Sequence, residues 1–392
     1  MIAWLFFCVG SFGLLTSSVY ALMVIVAAIR YRRFRLPGRD LDFTPFVSLF
    51  KPLHGDEPGL EERLRGFFSQ DYPSFEILFC ARQEGDAGLA VARKLAAEFP
   101  AVRTRFLTTG LPRHANAKVH SLELMHAAAE GEIFIISDSD AGVGPGYLRD
   151  LVKPFSSEKV GLVTCIYRGA AIGRGLFPRL EAIGMSVELT AGVIVSAMLD
   201  PLDFALGPTM AVRRRCVEEM GSFAVLGNYH SDDFVLGNLV ARHGNVCLLS
   251  DHVIDHFILN SDPWRSLKHQ VLWMKSTRFS RPKGHFGTVL TFASPFAIVA
   301  FLSALALGHL GLGLAALGVA LLSRLVIAFT VGTFVVRERR MWARMWLYPL
   351  RDLLAFGLWL ASYGSRRVFW RGEWYELRGD GLFPLNPTKR LV

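Results

Sequence analysis

The chain is poor in charge and in cysteine. Of its 392 residues only 20% are charged, against 52% hydrophobic. That is too apolar for an ordinary soluble domain and too charged for a pure membrane bundle, so a mixed protein is expected, part globular and part membrane-embedded. The five cysteines, Cys8, Cys80, Cys165, Cys216 and Cys247, are scattered, odd in number and free of any C-x-x-C spacing. Nothing there indicates a disulfide framework or a zinc site, and a reducing compartment is the natural reading. A single basic block is also missing despite the net charge of +9. The bases gather at Arg30-Tyr31-Arg32-Arg33-Phe34-Arg35, Arg337-Glu338-Arg339-Arg340 and Arg366-Arg367, each beside an apolar run. This placement fits the cytoplasmic face of a lipid bilayer, and no nucleic-acid partner is expected.

Residues 2–29 carry no charge at all, more than the roughly 20 residues that cross a bilayer. No basic stretch precedes them and no small-residue cleavage site ends them, so 1–30 reads as an anchor rather than a signal peptide. The basic cluster that follows puts the next domain, 42–283, in the cytoplasm. Near the other end, 288–307 and 310–336 are membrane-length segments split by Gly308-His309, a transmembrane hairpin (288–336) with basic, cytoplasmic ends. The segment 346–364 is short and contains Pro349, Arg351 and Asp352. As a span it would leave Arg366 and Arg367 outside, so a re-entrant or interfacial segment is the preferred reading. The remaining 365–392 reads as a basic cytoplasmic tail. A long apolar helix over 176–195 is expected near the membrane or in the core, its Arg179, Glu181 and Glu188 arguing against a span.

Within 42–283 the pattern alternates. Strands are expected at 46–50, 76–81, 102–107 and 133–136, with helices at 60–68, 88–98 and 117–129 between them. The fold class that follows is α/β, a doubly wound and mostly parallel sheet whose ligands sit at the carboxyl ends of the strands. Past 160 the pattern is less regular, with a strand at 160–165 and a helix opening at Ser231-Asp232-Asp233.

The run Ile133-Phe134-Ile135-Ile136 stops at Ser137-Asp138-Ser139-Asp140. Alternate residues of a strand point the same way, so Asp138 and Asp140 can converge on one ligand beyond its end. Two carboxylates held close repel unless a cation or proton lies between them, and Mg²⁺ is commonly held by one or two carboxylates plus substrate phosphates. The plain alternative is a pair of solvated turn aspartates. Gln83-Glu84-Gly85-Asp86 follows the second strand and falls at the same sheet edge.

These residues together resemble the ceramide glucosyltransferase family, membrane-bound inverting enzymes with a GT-A-like fold, whose relatives include hopanoid-associated transferases. The resemblance rests on Val47-Ser48-Leu49-Phe50-Lys51-Pro52-Leu53-His54-Gly55, Asp71-Tyr72-Pro73-Ser74-Phe75-Glu76-Ile77-Leu78-Phe79-Cys80, Asn116-Ala117-Lys118, Lys159-Val160-Gly161-Leu162-Val163 and Ser231-Asp232-Asp233-Phe234. It covers nearly the whole chain. It implies a donor site with Asp86, or its rival Glu84, at the uracil, together with Pro52, Lys118 and Asp138. It also implies a divalent metal, Mg²⁺ or Mn²⁺, at Asp138 and Asp140, and a general base at Asp233 with Asp232 as the fallback. The family's (Gln/Arg)-x-x-Arg-Trp element matches His269-Gln270-Val271-Leu272-Trp273, which keeps Gln270 and Trp273 on the acceptor side beside His269 but has Leu272 where arginine is usual. Lys275 and Arg278 are the nearby candidates to replace that charge.

The implied reaction is displacement at an anomeric carbon. It needs the departing diphosphate's charge neutralised and a carboxylate within about 3 Å of the acceptor hydroxyl. A single displacement turns an α-linked UDP-glucose into a β-glucosyl lipid, ceramide first, with UDP-N-acetylglucosamine and bacteriohopanetetrol as the alternative pair. A processive polysaccharide synthase and a non-catalytic nucleotide-sugar-binding protein are the competing readings. The first calls for more spans and an intact motif; the second is supported by Leu272 alone. Lys118 has a plain reading as a solvated lysine, and Trp273 as an interface anchor. His230 and His256 lie near the acidic residues and are left out of the metal site.

Overall fold

The computed structural model describes residues 1–38, 41–173, 175–259, 262–370, 373–379 and 381–385, and divides into two units. One comprises Arg35–Tyr167, Asp200–Leu259 and Arg367–Val392, the other Met1–Phe34, Arg168–Leu199 and Asn260–Arg366.

The first unit is built on an eight-stranded sheet. Its strands in chain order are β1 (Val47–Pro52), β2 (Phe75–Ala81), β3 (Arg103–Thr108), β4 (Ile133–Ser137), β5 (Ala141–Gly142), β6 (Val160–Ala171), β7 (Thr209–Arg213) and β8 (Val246–Ile258). In space they run β3-β2-β1-β4-β7-β6-β8-β5. The first four in that order are parallel, joined by the helices Leu60–Phe68, Ala87–Glu98 and Ala117–Ala128, as the sequence pattern predicts. Apolar runs buried on both faces explain this core: Leu49, Phe50, Ile77, Leu78, Ile135 and Ile136 are all almost fully buried. Phe50 stacks on Phe134 at 5.1 Å between ring centroids.

Register decides where the chemistry falls. Phe50 pairs with Ile136 and Pro52 with Cys80, so the chain leaves β1, β2 and β4 at one edge. β7 runs antiparallel to β4, pairing Thr209 with Ser137, and therefore delivers its amino end, Gly207-Pro208, to that edge. β8 pairs with the short β5, setting His256 opposite Ala141. A shallow cavity of about 440 Å³ against Asp42, Thr44, Asp71 and Tyr72 lies before the starts of β1 and β2, at the opposite edge.

Part of the region expected as a basic tail is ordered into strands. Arg367–Trp370, Glu373–Arg378 and Gly381–Pro384 form a three-stranded antiparallel sheet, and Leu382 donates its N–H to Asn228 O at 2.7 Å. Residues 371–372, 380 and 386–392 of that stretch lie outside the described residues.

The second unit is helical. Three of its described helices are long and apolar enough to cross a membrane: Ile2–Arg33, Leu176–Leu199 and Leu310–Val335. The second covers the apolar helix expected at 176–195, and 61% of its apolar window is buried within the protein, as the core alternative expects. Its acids do not have to face lipid, because Glu181 accepts a hydrogen bond from Ser266 Oγ and Glu188 pairs with Arg351 at 2.8 Å. Burying charge against a partner is what makes it tolerable in such a helix. The first limb of the expected hairpin is broken, Pro282–Thr291 meeting Ser294–Ala306 at a bend of 47°. The cause is local: Pro295 restarts the helix and Phe292 is extended, while Asp352 Oδ2 accepts the N–H groups of Ala293 and Ser294 at 3.0 and 2.7 Å.

Candidate active site

Asp138 follows β4 directly. Its N–H donates to Pro208 O at 3.3 Å, and its carbonyl accepts from Lys51 Nζ at 2.6 Å. Lys51 is fully buried under this turn, its ammonium 3.8 Å from the centre of the Phe67 ring. Burial pushes its pKa down to about 7, against the pull of the Asp138 and Asp140 carboxylates. Sequence reasoning passed over this residue. Its signal was a lysine directly after the apolar run Val47-Ser48-Leu49-Phe50, at the carboxyl end of a strand.

The Asp138 carboxylate faces Lys118. Lys118 Nζ lies 2.8 Å from Asp138 Oδ1 and 3.3 Å from Asp232 Oδ2. Burial works against that ammonium, but the two aspartates outweigh it and hold its pKa above the usual lysine value. The plain reading of Lys118 as a solvated lysine is therefore corrected: its side chain is one-tenth exposed and wedged between two carboxylates. Asn116 caps the same helix, its Oδ1 accepting the Lys118 N–H at 3.1 Å, while Nδ2 donates to Asp232 Oδ1 at 3.2 Å and to Tyr229 O at 3.2 Å.

The two adjacent aspartates are thus held differently. Asp232 is buried and pinned by Asn116 and Lys118. Asp233 is half-buried and accepts the N–H of Phe234 at 2.8 Å. Burial first, and the neighbouring Asp232 second, push its pKa up to about 6. Gly207 explains how Asp138 and Asp233 come to share one space. A Cβ on it would lie 3.1 Å from Asp233 Oδ2 and 3.9 Å from Asp138 Oδ2, so the missing side chain leaves room between the two carboxylates.

Asp140 follows two residues after Asp138. Its Oδ1 is buried with no hydrogen bond among the described residues, and His256 Nδ1 is 3.6 Å away. Its carbonyl accepts the Phe257 N–H at 2.9 Å, the tie that brings β8 to the site. Among the described residues no three His, Cys, Asp or Glu side chains are grouped as metal ligands.

Of the donor-side candidates, Asp86 is drawn into the loops: Oδ2 accepts the Gly55 N–H at 2.9 Å and Oδ1 the Gly88 N–H at 2.8 Å, capping the helix Ala87–Glu98. Glu84 is exposed and paired with Arg93. Pro52 ends β1 at the same edge.

His269, Gln270 and Trp273 belong to the helical unit, on the helix Pro263–Ser280. The His269 and Trp273 rings lie tilted at 50° to each other with centroids 4.3 Å apart. Gln270 Nε2 donates to Ser266 Oγ at 3.0 Å, and Gln270 Oε1 accepts from Arg351 Nη1, which sequence reasoning did not connect with it. Of the residues weighed against Leu272, Arg278 donates to Ser362 O at 2.7 Å. The guanidinium at Gln270 comes instead from 81 residues away.

The sheet order, and the edge at which these carboxylates meet, define the class: a GT-A type glycosyltransferase fold. It matches a mannosyltransferase from Pyrobaculum calidifontis, solved with GDP-mannose and Mn²⁺, with a TM-score of 0.51 at 18% identity over 88% of this chain and 98% of that one. The chain belongs to glycosyl transferase family 21, whose profile matches residues 11–383. Ceramide glucosyltransferase 1 of Caenorhabditis elegans is 28% identical over 233 residues, 59% of this chain and 50% of that protein. The ceramide glucosyltransferase of Komagataella phaffii is 31% identical over 159 residues, 40% and 29% of the two chains. The beta-monoglucosyldiacylglycerol synthase of Trichormus variabilis is 27% identical over 150 residues, 37% and 30% of the two. In these pairs the matched region spans half or less of the relative's length.

Proposed function

We propose that the chain is a UDP-sugar-dependent hexosyltransferase that moves glucose from UDP-glucose to the hydroxyl of a membrane lipid, ceramide first, with inversion at the anomeric carbon. The observation that carries this is Asp233: a half-buried carboxylate with pKa about 6, facing Asp138 across the space that Gly207 leaves open. A base tuned near neutrality is suited to take a proton from an alcohol in the transition state. Asp232 is the poorer candidate, because both its oxygens already face Asn116 and Lys118.

In the step, Asp233 accepts the proton of the lipid hydroxyl as that oxygen bonds to the anomeric carbon. The bond from that carbon to the diphosphate oxygen breaks, and UDP leaves with the electron pair. Lys118 supplies fixed positive charge beside Asp138, where the diphosphate is placed, and Lys51 holds the Asp138 turn from beneath. Asp86 fixes the loop that meets the uracil, and Pro52 lines the same edge.

Asp138 and Asp140 suit a divalent ion by residue type and by their place just past β4. Among the described residues Asp140 Oδ1 is a buried acceptor with no hydrogen bond, and His256 Nδ1 lies 3.6 Å away. Two carboxylates with the remaining positions left to phosphate and water is a common arrangement for Mg²⁺. Bound there, the ion would neutralise charge on the diphosphate.

Three apolar helices of membrane length in the same chain support a lipid acceptor. On this reading the protein is multi-pass in the bacterial inner membrane with its catalytic unit facing the cytoplasm, which the basic clusters beside its apolar runs support. Two relatives named for glucosyl transfer to ceramide support glucose and ceramide. Diacylglycerol is the second acceptor reading, carried by the glucosyldiacylglycerol synthase relative. The test is to give the purified protein UDP-glucose or UDP-N-acetylglucosamine with ceramide, diacylglycerol or bacteriohopanetetrol, and to identify products by mass spectrometry. Glucosylceramide is expected, a different sugar or lipid would reassign the substrate, and soluble polymer alone would overturn the reading.

A further inference from the structure

The helical unit contains a cavity of about 390 Å³ unrelated to the carboxylates described above. Arg179, Arg340 and Arg344 line it together with Glu338, three positive charges against one negative. Glu338 is committed to Arg344 at 3.1 Å. Among the described residues, no hydrogen bond or ion pair engages the Arg179 or Arg340 side chain. Two uncompensated guanidiniums at one cavity attract an anion, and their planar forks match phosphate oxygens.

Apart from Ser186, whose Oγ accepts the Gly169 N–H at 3.0 Å, the remainder of the lining is apolar or glycine. Ala182 and Ile183 come from the helix Leu176–Leu199, and Met341 and Leu347 from the chain beyond the helix Leu310–Val335. Arginines placed just past the end of a membrane-length helix stand where lipid headgroups lie. Arg337 turns the chain there, with a φ of 55°, and the Glu338 N–H donates back to Gly332 O at 2.8 Å. Trp342 and Trp346, neighbours in sequence of the lining residues Met341, Ala343 and Leu347, are 68% and 60% exposed. Tryptophans are enriched at that same headgroup level. Basic pockets between membrane helices on the cytoplasmic side commonly take anionic headgroups, and the volume falls within the range of small-ligand sites.

We propose that this cavity binds the phosphate headgroup of an anionic phospholipid, with Arg179 and Arg340 as its principal contacts and the apolar wall against the start of the acyl chains. The site does not depend on the sugar-transfer reading.

The experiment uses the full chain in nanodiscs of phosphatidylcholine with or without phosphatidylglycerol. Native mass spectrometry counts retained phosphatidylglycerol, and Tm is followed in parallel. Arg179→Gln/Arg340→Gln is compared with Arg337→Gln/Arg339→Gln, which removes the same charge from the neighbouring basic run but not from the cavity. The first pair is expected to lower phosphatidylglycerol affinity by about tenfold or more and to abolish its Tm increment; the second should change affinity by less than about twofold. Equal losses in both would reduce the effect to general surface charge and overturn the site. A Tm increment from millimolar inorganic phosphate or glycerol 3-phosphate in detergent, equal to that from the lipid, would overturn the lipid assignment. If the double variant melts early in phosphatidylcholine, Arg340→Gln alone gives the same comparison.

Discussion

Lys118 Nζ stands 2.8 Å from Asp138 and 3.3 Å from Asp232, so one buried ammonium ties the turn after β4 to the helix that opens with the aspartate pair. Breaking a buried pair by removing one partner is costly, since it strands the charge left behind. Lys118→Met should weaken UDP binding about tenfold or more, measured by titration calorimetry. Lys118 also holds the Asp233 pKa down, so the same variant should move the acid limb of the pH–rate profile above about 6.

The pH dependence of the wild type follows from Asp233. The base form is required, so kcat/KM should fall about tenfold per unit below pH 6 and level off above it. The effect on stability runs the other way. The folded-state pKa lies above the ordinary carboxylate value, so the group's favourable contribution is present at low pH and is lost as pH rises through about 6. Asp233→Asn should therefore melt above wild type at pH 8 and with it near pH 4, in thermal scans without nucleotide.

Gly207 tests the space between the two carboxylates. An added methyl would lie 3.1 Å from Asp233 Oδ2, close enough that the carboxylate must give way. Gly207→Ala should lower kcat by about tenfold or more with Tm little changed, because small displacements of reacting groups are expensive. Unchanged kcat would remove Asp233 from the reacting position.

In the helical unit, Arg324 and Asp352 form a buried pair at 2.9 Å, both side chains at most 3% exposed. Arg324→Met should cost about 3–5 kcal/mol by stranding Asp352. Arg324→Met/Asp352→Asn should recover part of the loss, since an amide oxygen can still accept the Ala293 and Ser294 N–H groups. Thermal unfolding in detergent checks the order of the three proteins.

Much of the sheet could be read from the chain, because β1, β2 and β4 are short apolar runs ended by turn residues and paired parallel as expected. The position of Asp138 and Asp140 at a carboxyl edge follows from that alone. What stayed hidden depends on distant partners. The antiparallel β7 brings Gly207 to the site from about seventy residues beyond Asp138, and nothing local in Gly207-Pro208 announces it. Lys118 looked ordinary because a lysine at a helix start usually is; only its neighbours make it otherwise. Likewise the match at Gln270 looked incomplete with Leu272, yet Arg351 reaches Gln270 from another helix. Nor does anything local to Glu188 in the helix Leu176–Leu199 show that it is paired, since its partner Arg351 lies 163 residues away.

Asp233→Asn tests the central claim most directly, with transfer from UDP-glucose to ceramide and UDP affinity measured on the same preparation. The account predicts that transfer drops by at least about a thousandfold while the Kd for UDP stays within about threefold of wild type. Substantial transfer by Asp233→Asn, with its product still β-linked, would contradict it.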